Sequence, residues 1–269
     1  MTSEISLQII GVIRFSVLTD DFTPLNYGDA QTMRQRFFDP HRLEERLTMF
    51  EHLCLSTLAR QTDKGFRCAI LTAEDMPDWA MNRLKAMLAP HPQFLLYAAP
   101  MGHHYALIKD AYRATAAPGF THRVSFRLDD DDGMALDYIA RLRALSLKLL
   151  EISRDPFIVA YNRGYYLDRS TPGQNTLLDS VERAPLSAGT ALIHPDELET
   201  NPYRYNHRAF AQYYNTYSEI EDGMFLRTIH PDNISGADKQ GLTGRKKAER
   251  VAREVVDRFG IDLELLRTL

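Results

Sequence analysis

Asp129-Asp130-Asp131-Asp132 places four carboxylates at consecutive positions, directly behind the alternating, apolar-ending run Val124-Ser125-Phe126-Arg127-Leu128. Carboxylates this close raise one another's pKa, so without a countercharge some would have to protonate. A hard divalent cation supplies that charge, and carboxylate oxygens suit Mg or Mn. The run in front reads as a buried strand, and Gly133 with an amphipathic helix pattern follows; both argue against a solvated acidic turn. In open α/β sheets ligands collect just outside the carboxyl ends of strands, which is where the aspartates fall. A second candidate is Arg14, near the end of the apolar run 7–18. A guanidinium there is costly to bury unless it meets an anion, and a phosphate or a structural carboxylate serves equally well.

These residues need elements to position them, and the apolar spacing predicts which. The continuous run 7–18 reads as a strand buried on both faces. Residues 19–40, with Pro24, Gly28 and Pro40, read as a long ordered loop. Leu43, Leu47, Phe50, Cys54 and Leu58 recur at helical spacing over 42–60. Strands at 66–71, 94–97 and 122–128 then alternate with helices at 76–89 and 106–116, and another helix face runs from Tyr138 to Leu149. Repeated strand–helix units imply a parallel sheet with right-handed crossovers. Beyond this the character changes: 157–167 and 176–193 read as strands joined by the turn Ser170-Thr171-Pro172-Gly173, which suggests antiparallel additions. A short helix at 203–213, a strand at 224–229 ending in His230, and a charged helix at 243–259 complete the chain. The predicted class is α/β, with a mainly parallel central sheet flanked by helices.

Composition sets limits. The 269 residues are 44% hydrophobic and 25% charged, with a net charge of −4 and no basic stripe, so nucleic acid is not an expected partner. No transmembrane segment is expected, and the first residues lack a basic region leading into an apolar core. Peripheral membrane contact stays open. Cys54 and Cys68 lie in apolar patterns without metal-ligand spacing, as buried thiols of a reducing compartment would, and a cytoplasmic location is expected.

Several stretches resemble nucleotide-sugar-dependent glycosyltransferases of the GT-A fold. Ser56-Thr57-Leu58-Ala59-Arg60-Gln61-Thr62 is similar to the serine-rich helix and Gln-Thr turn of family 2 enzymes. Phe126-Arg127-Leu128-Asp129-Asp130-Asp131-Asp132 is similar to their DxD metal motif. Taken with Ile13-Arg14-Phe15-Ser16 and Arg42-Leu43-Glu44-Glu45-Arg46, the resemblance is closer still to a bacterial family of rhamnosyltransferases, and it covers about residues 8–235. It implies one GT-A-like domain over 1–269: a nucleotide-binding half to about 133, an acceptor half over about 134–240, and a C-terminal helix from 241. It also implies a nucleotide-sugar donor, a saccharide or glycan acceptor, and Mn or Mg. One departure concerns the second strand, where the family's base-holding aspartate is replaced by Thr72-Ala73-Glu74-Asp75, shifting base recognition to Glu74 or Asp75 or elsewhere.

Carried over by residue, the resemblance gives Asp129 to the ribose and metal and Asp131 to the metal, with a one-residue slip to Asp130 and Asp132 left open. His230 resembles the histidine that completes the metal shell. Arg14, Lys109 and Arg127, together with Asp129 and Asp130, make up the donor side, and Gly189 resembles the small-residue turn beside the donor sugar. The acceptor-side base of inverting enzymes falls at Asn206-His207, which makes His207 the candidate base. Asp196, Glu197 and Asp222 are its alternatives. Two other classes remain: a metal-dependent nucleotidyltransferase or phosphotransferase, which would usually carry a glycine-rich phosphate loop, and a non-catalytic carbohydrate-binding protein of the same fold.

Overall fold

Strand β1 (Leu7–Phe15) is buried along almost its whole length, because its apolar run leaves neither face fit for water. It lies deep in a seven-stranded sheet of order β10-β6-β9-β4-β1-β2-β3. The computed structural model describes residues 4–21, 28–171, 173–233 and 241–269. β2 (Phe66–Ala73) and β4 (His122–Asp129) flank β1 in parallel, and β3 (Phe94–Ala99) follows β2. The parallel β–α alternation of the first half is therefore present, and its fourth strand ends on the acidic run. The register sets Arg14 opposite Asp129. Gly11 lies opposite Phe126, and a Cβ there would stand 2.2 Å from the Phe126 ring, so glycine is what lets that ring lie across β1.

The later strands add to the same sheet with mixed polarity. β9 (Ala191–Pro195) runs antiparallel to both β4 and β6 (Phe157–Tyr161), and β10 (Asn215–Glu219) closes the edge parallel to β6. A second sheet, which the sequence pattern did not separate from the first, has the order β12-β8-β7-β11-β5. It contains β7 (Arg163–Asp168), β8 (Thr176–Val181), β11 (Phe225–Ile229) and the short β5 (Gly133–Met134) and β12 (Leu242–Thr243). The acidic run thus spans from the end of a strand in one sheet to the start of a strand in the other.

Helices cover the sheets. The expected loop 19–40 contains a helix, α1 (Ala30–Phe37), started by the Asp29 side chain accepting from Thr32 N and anchored by buried Met33 and Phe37. Residues 22–27, including Pro24, lie outside the described residues, as does Pro172 of the expected turn. α2 (Pro40–Met49), capped by Asp39, runs without a break through a π-helical stretch (Phe50–Leu55) into α3 (Ser56–Ala59). α4 (Asp78–Leu88), α5 (His104–Thr115) and α6 (Tyr138–Ile152) match the predicted helices within two or three residues. The helix expected at 203–213 is a shorter 3₁₀ turn, His207–Gln212, capped by Asn206. α7 (Ala248–Phe259) buries Val251, Val255 and Phe259, and α8 (Leu263–Thr268) ends the chain. Cys54 and Cys68 are free and buried. Among the described residues no helix is long and apolar enough to cross a membrane.

Candidate active site

Gln61 fixes the base of the acidic segment. Its fully buried amide donates to Ala135 O at 2.8 Å and Thr57 O at 3.2 Å, and its carbonyl accepts from Ile139 N at 2.9 Å. Thr62 N donates to Leu136 O at 2.8 Å. The Gln-Thr turn therefore ties the end of α3 to the residues just after the aspartates and to the first turn of α6. On the other side Thr228 of β11 holds the run itself: its N donates to Asp132 Oδ1 and its hydroxyl to Asp131 O, both at 3.1 Å.

The aspartates so held are not bare. Asp129 accepts from Arg14 Nη2 at 2.9 Å; burial pushes its pKa up, but the charges of Arg14 and Arg127 outweigh that and bring it to about 2. Arg46, on the last turn of α2 and 9% exposed, grips Asp130 through Nε at 3.1 Å and through Nη2. Its Nη1 donates to Asp131 Oδ2 at 2.9 Å. Burial opposes ionisation of Asp131, yet Arg46 and the hydrogen bond from His230 hold its pKa down. Asp132 goes the other way: burial and the charge of Asp131 push its pKa well up. The sequence argument expected a metal as the countercharge; arginines already supply much of it, and Asp132 is driven toward protonation. Arg227, from β11, feels the Asp132 charge.

His230, 8% exposed at the end of β11, brings Nε2 to 2.8 Å from Asp131 Oδ2. The Asn233 amide lies 3.3 Å from that oxygen and 3.2 Å from that nitrogen. An oxygen and an imidazole nitrogen converging in this way would hold Mn better than Mg, because the carboxylate suits both ions and the nitrogen the softer one, with water and substrate phosphate completing the shell. The residues present therefore fit an open two-donor site. Among the described residues no group of three or more His, Cys, Asp or Glu side chains forms a protein-only cage; Asp129 of the expected trio is engaged with Arg14. Arg14, Ser16, Arg42, Arg46, Arg227 and the aspartates line a cleft of about 140 Å³. Segments 22–27 and 234–240, which continue the chain beyond Asp21 and Asn233, lie outside the described residues.

Beside the cleft, two guanidiniums lie against the Tyr203 ring, with Arg127 4.1 Å and Arg14 5.2 Å from its centroid. Its hydroxyl donates to Val12 O at 3.2 Å. Arg127 is 8% exposed, makes one long bond of 3.4 Å to Pro202 O, and burial lowers its pKa. The Nε atoms of Arg14 and Arg127 have no partner among the described residues. His207 opens the 3₁₀ turn near this pair: burial, then the charge of Arg127, lower its pKa to about 3, so its imidazole is neutral at pH 7. His104, 3.0 Å from Arg14 Nη1, falls to about 4, through burial first and Arg14 second.

Other expected residues lie elsewhere. Lys109 pairs with Glu199 at 2.6 Å and faces a separate cavity with Arg113, Arg123 and His194, so it does not join the acidic cleft. Asp196 pairs with Arg123 in that same cavity. Asp222 bridges Arg141 and Arg258. Asp75 is held by Arg34 at 2.7 Å, and neither it nor Glu74 lines the cleft. Gly189 takes a left-handed φ of 73°. Its N donates to Arg127 O, and its carbonyl accepts from the Tyr138 hydroxyl. Arg46 is the residue that sequence reasoning missed as a site component. Its signal was present: it falls on the apolar stripe of Leu43, Leu47 and Phe50, where an arginine needs a buried anion.

A mainly parallel sheet that delivers clustered carboxylates and arginines to one cleft belongs here to a glycosyltransferase. The chain is a member of the family described as "Putative rhamnosyl transferase", whose sequence model matches residues 8–242. No curated protein matches. Among solved structures, a putative nucleotide-diphospho-sugar transferase from Desulfovibrio desulfuricans G20 is similar at 11% identity and a TM-score of 0.32, over 84% of this chain and 80% of that one. S. aureus TarS 1–349 is similar at 9% identity and a TM-score of 0.42, over 82% of this chain and 60% of that one. Its complex with UDP gives 9% and 0.40, over 93% and 66%.

Proposed function

We propose that the protein moves a sugar, rhamnose in the first instance, from a nucleoside-diphosphate donor to a hydroxyl of a saccharide acceptor, with inversion and with help from Mn or Mg. The observation that carries the donor reading is the charge balance around Tyr203. Half-buried Arg14 is paired with one carboxylate, Asp129, whose charge the buried Arg127 also feels, and each arginine keeps an Nε without a partner among the described residues. Buried cations in excess are stabilised by an arriving anion, and guanidinium forks match phosphate oxygens. A donor diphosphate is such an anion, and its negative charge grows as the sugar bond breaks, where fixed cations stabilise it most.

Asp131 and His230 would hold the metal, which would supply further positive charge to the leaving diphosphate. His207 is the proposed base. It is neutral in the donor-free protein and so able to accept a proton, though with a pKa of about 3 it is a weak base there. Diphosphate charge set against Arg127 and Arg227 raises that basicity, so acceptor activation is coupled to donor occupancy. The test is nucleotide release from dTDP-rhamnose, UDP-sugars and GDP-sugars in Mn and in EDTA. Release of dTDP from dTDP-rhamnose in Mn is expected; no release from any donor in either condition overturns the reading.

A further inference from the structure

We infer that Arg46 is the resident cation of the acidic cluster and that a divalent metal binds Asp131 and His230 by displacing its Nη1, an exchange that rests on the metal-assisted reading above. An arginine on the core face of a helix is costly unless it is paired, and what pairs Arg46 is this cluster. The guanidinium divides its contacts. Nε and Nη2 form a fork on Asp130, while Nη1 lies 2.9 Å from Asp131 Oδ2 and 3.2 Å from His230 Nε2. Nη1 therefore touches both atoms that would coordinate the metal, which are themselves 2.8 Å apart.

A metal at a coordination distance of about 2.1 Å from both donors lies within roughly 5 Å of Nη1 wherever it sits around them, and at protein dielectric two positive centres so close repel strongly. The Asp130 fork makes exchange feasible: the planar guanidinium can pivot about the Nε–Nη2 edge held by Asp130 and carry Nη1 away, so the arginine need not be stranded. The backbone behind it is suited to adjustment. Arg46 lies one turn before the α-to-π junction, where Phe50 N–H is shared between the Arg46 and Leu47 carbonyls, and π-helical stretches recur at functional sites. The exchange keeps Asp130 and Asp131 paired with a cation in the metal-free protein, and it sets metal affinity low until donor phosphate adds ligands and negative charge.

The test is Mn²⁺ binding to the full chain without nucleotide, followed by the EPR signal of free Mn²⁺, in wild type, Arg46→Met and Arg46→Lys. Arg46→Met is expected to bind Mn²⁺ about tenfold or more tightly than wild type, because the competing charge is gone. Arg46→Lys, which keeps the charge but cannot bridge as a fork, should fall between. Mn²⁺ should also raise the urea midpoint of Arg46→Met more than that of wild type. If Arg46→Met does not fold in EDTA, the lysine variant decides. Variants that bind Mn²⁺ no more tightly than wild type overturn the exchange and leave the metal-assisted reading standing. If no protein binds Mn²⁺ while wild type releases nucleotide in EDTA, both fall.

Discussion

Replacing Gln61 with Leu removes a fully buried amide while nearly preserving its volume, so the expected cost comes from hydrogen bonding rather than from a cavity. The Gln61 side chain satisfies Ile139 N, whereas Ala135 O also accepts from Tyr138 N at 3.0 Å and keeps that donor when the amide is lost. Ile139 N belongs to the first turn of α6, where helix geometry leaves N–H groups open. A buried polar group left without a partner costs about 1–3 kcal/mol, which is the loss expected from Ile139 N. Urea unfolding of wild type and Gln61→Leu measures this directly, with exposed Lys148→Ala as a control expected to stay within about 0.5 kcal/mol. Because Ala135 follows the aspartates by three residues, nucleotide release should fall in the same variant even below its unfolding transition. A stability loss under about 1 kcal/mol would refute the idea that Gln61 anchors the acidic segment.

The remaining expectations concern charge. His207→Ala should lower turnover on acceptor by roughly a hundredfold or more with little change in nucleotide affinity; weakened donor binding with intact turnover would place His207 in the donor pocket. Asp131→Asn should remove Mn²⁺ binding, because it keeps shape but not the charge a hard cation needs; unchanged Mn²⁺ affinity and activity would shift the site to Asp130 and Asp132. His194, 3% exposed, has its pKa lowered from 6.5 to about 4, chiefly by burial. The unfolded chain therefore takes up that proton first, so the stability His194 contributes is complete above pH 6.5 and is lost as pH falls toward 4. Between pH 7.5 and 4.5 wild type should lose about 2–3 kcal/mol more than His194→Gln; the opposing titration of Asp132 is common to both proteins and cancels. Parallel pH profiles would contradict this.

The sequence by itself determined the strand–helix alternation of the first half, the acidic run at a strand end, and a histidine closing a late strand, because each is written in local periodicity and residue type. The Gln-Thr turn was legible as a motif, though not as an anchor. Tertiary structure alone decided what the aspartates meet. Arg46 lies 84 residues before Asp130 in the chain, and only the packing of α2 over the acidic loop brings the two together; a single apolar stripe interrupted by an arginine says that an anion is needed, not which one. The same holds for Lys109, whose helix position was readable but whose partner, Glu199, was not. Strand pairing is likewise non-local: alternating runs at 157–167 and 176–193 announce strands, while hydrogen bonding between distant segments divides them between two sheets. The helix at Ala30–Phe37 went unread because its few apolar residues give a weak period, and burial of Met33 and Phe37 against the rest of the fold is what stabilises it.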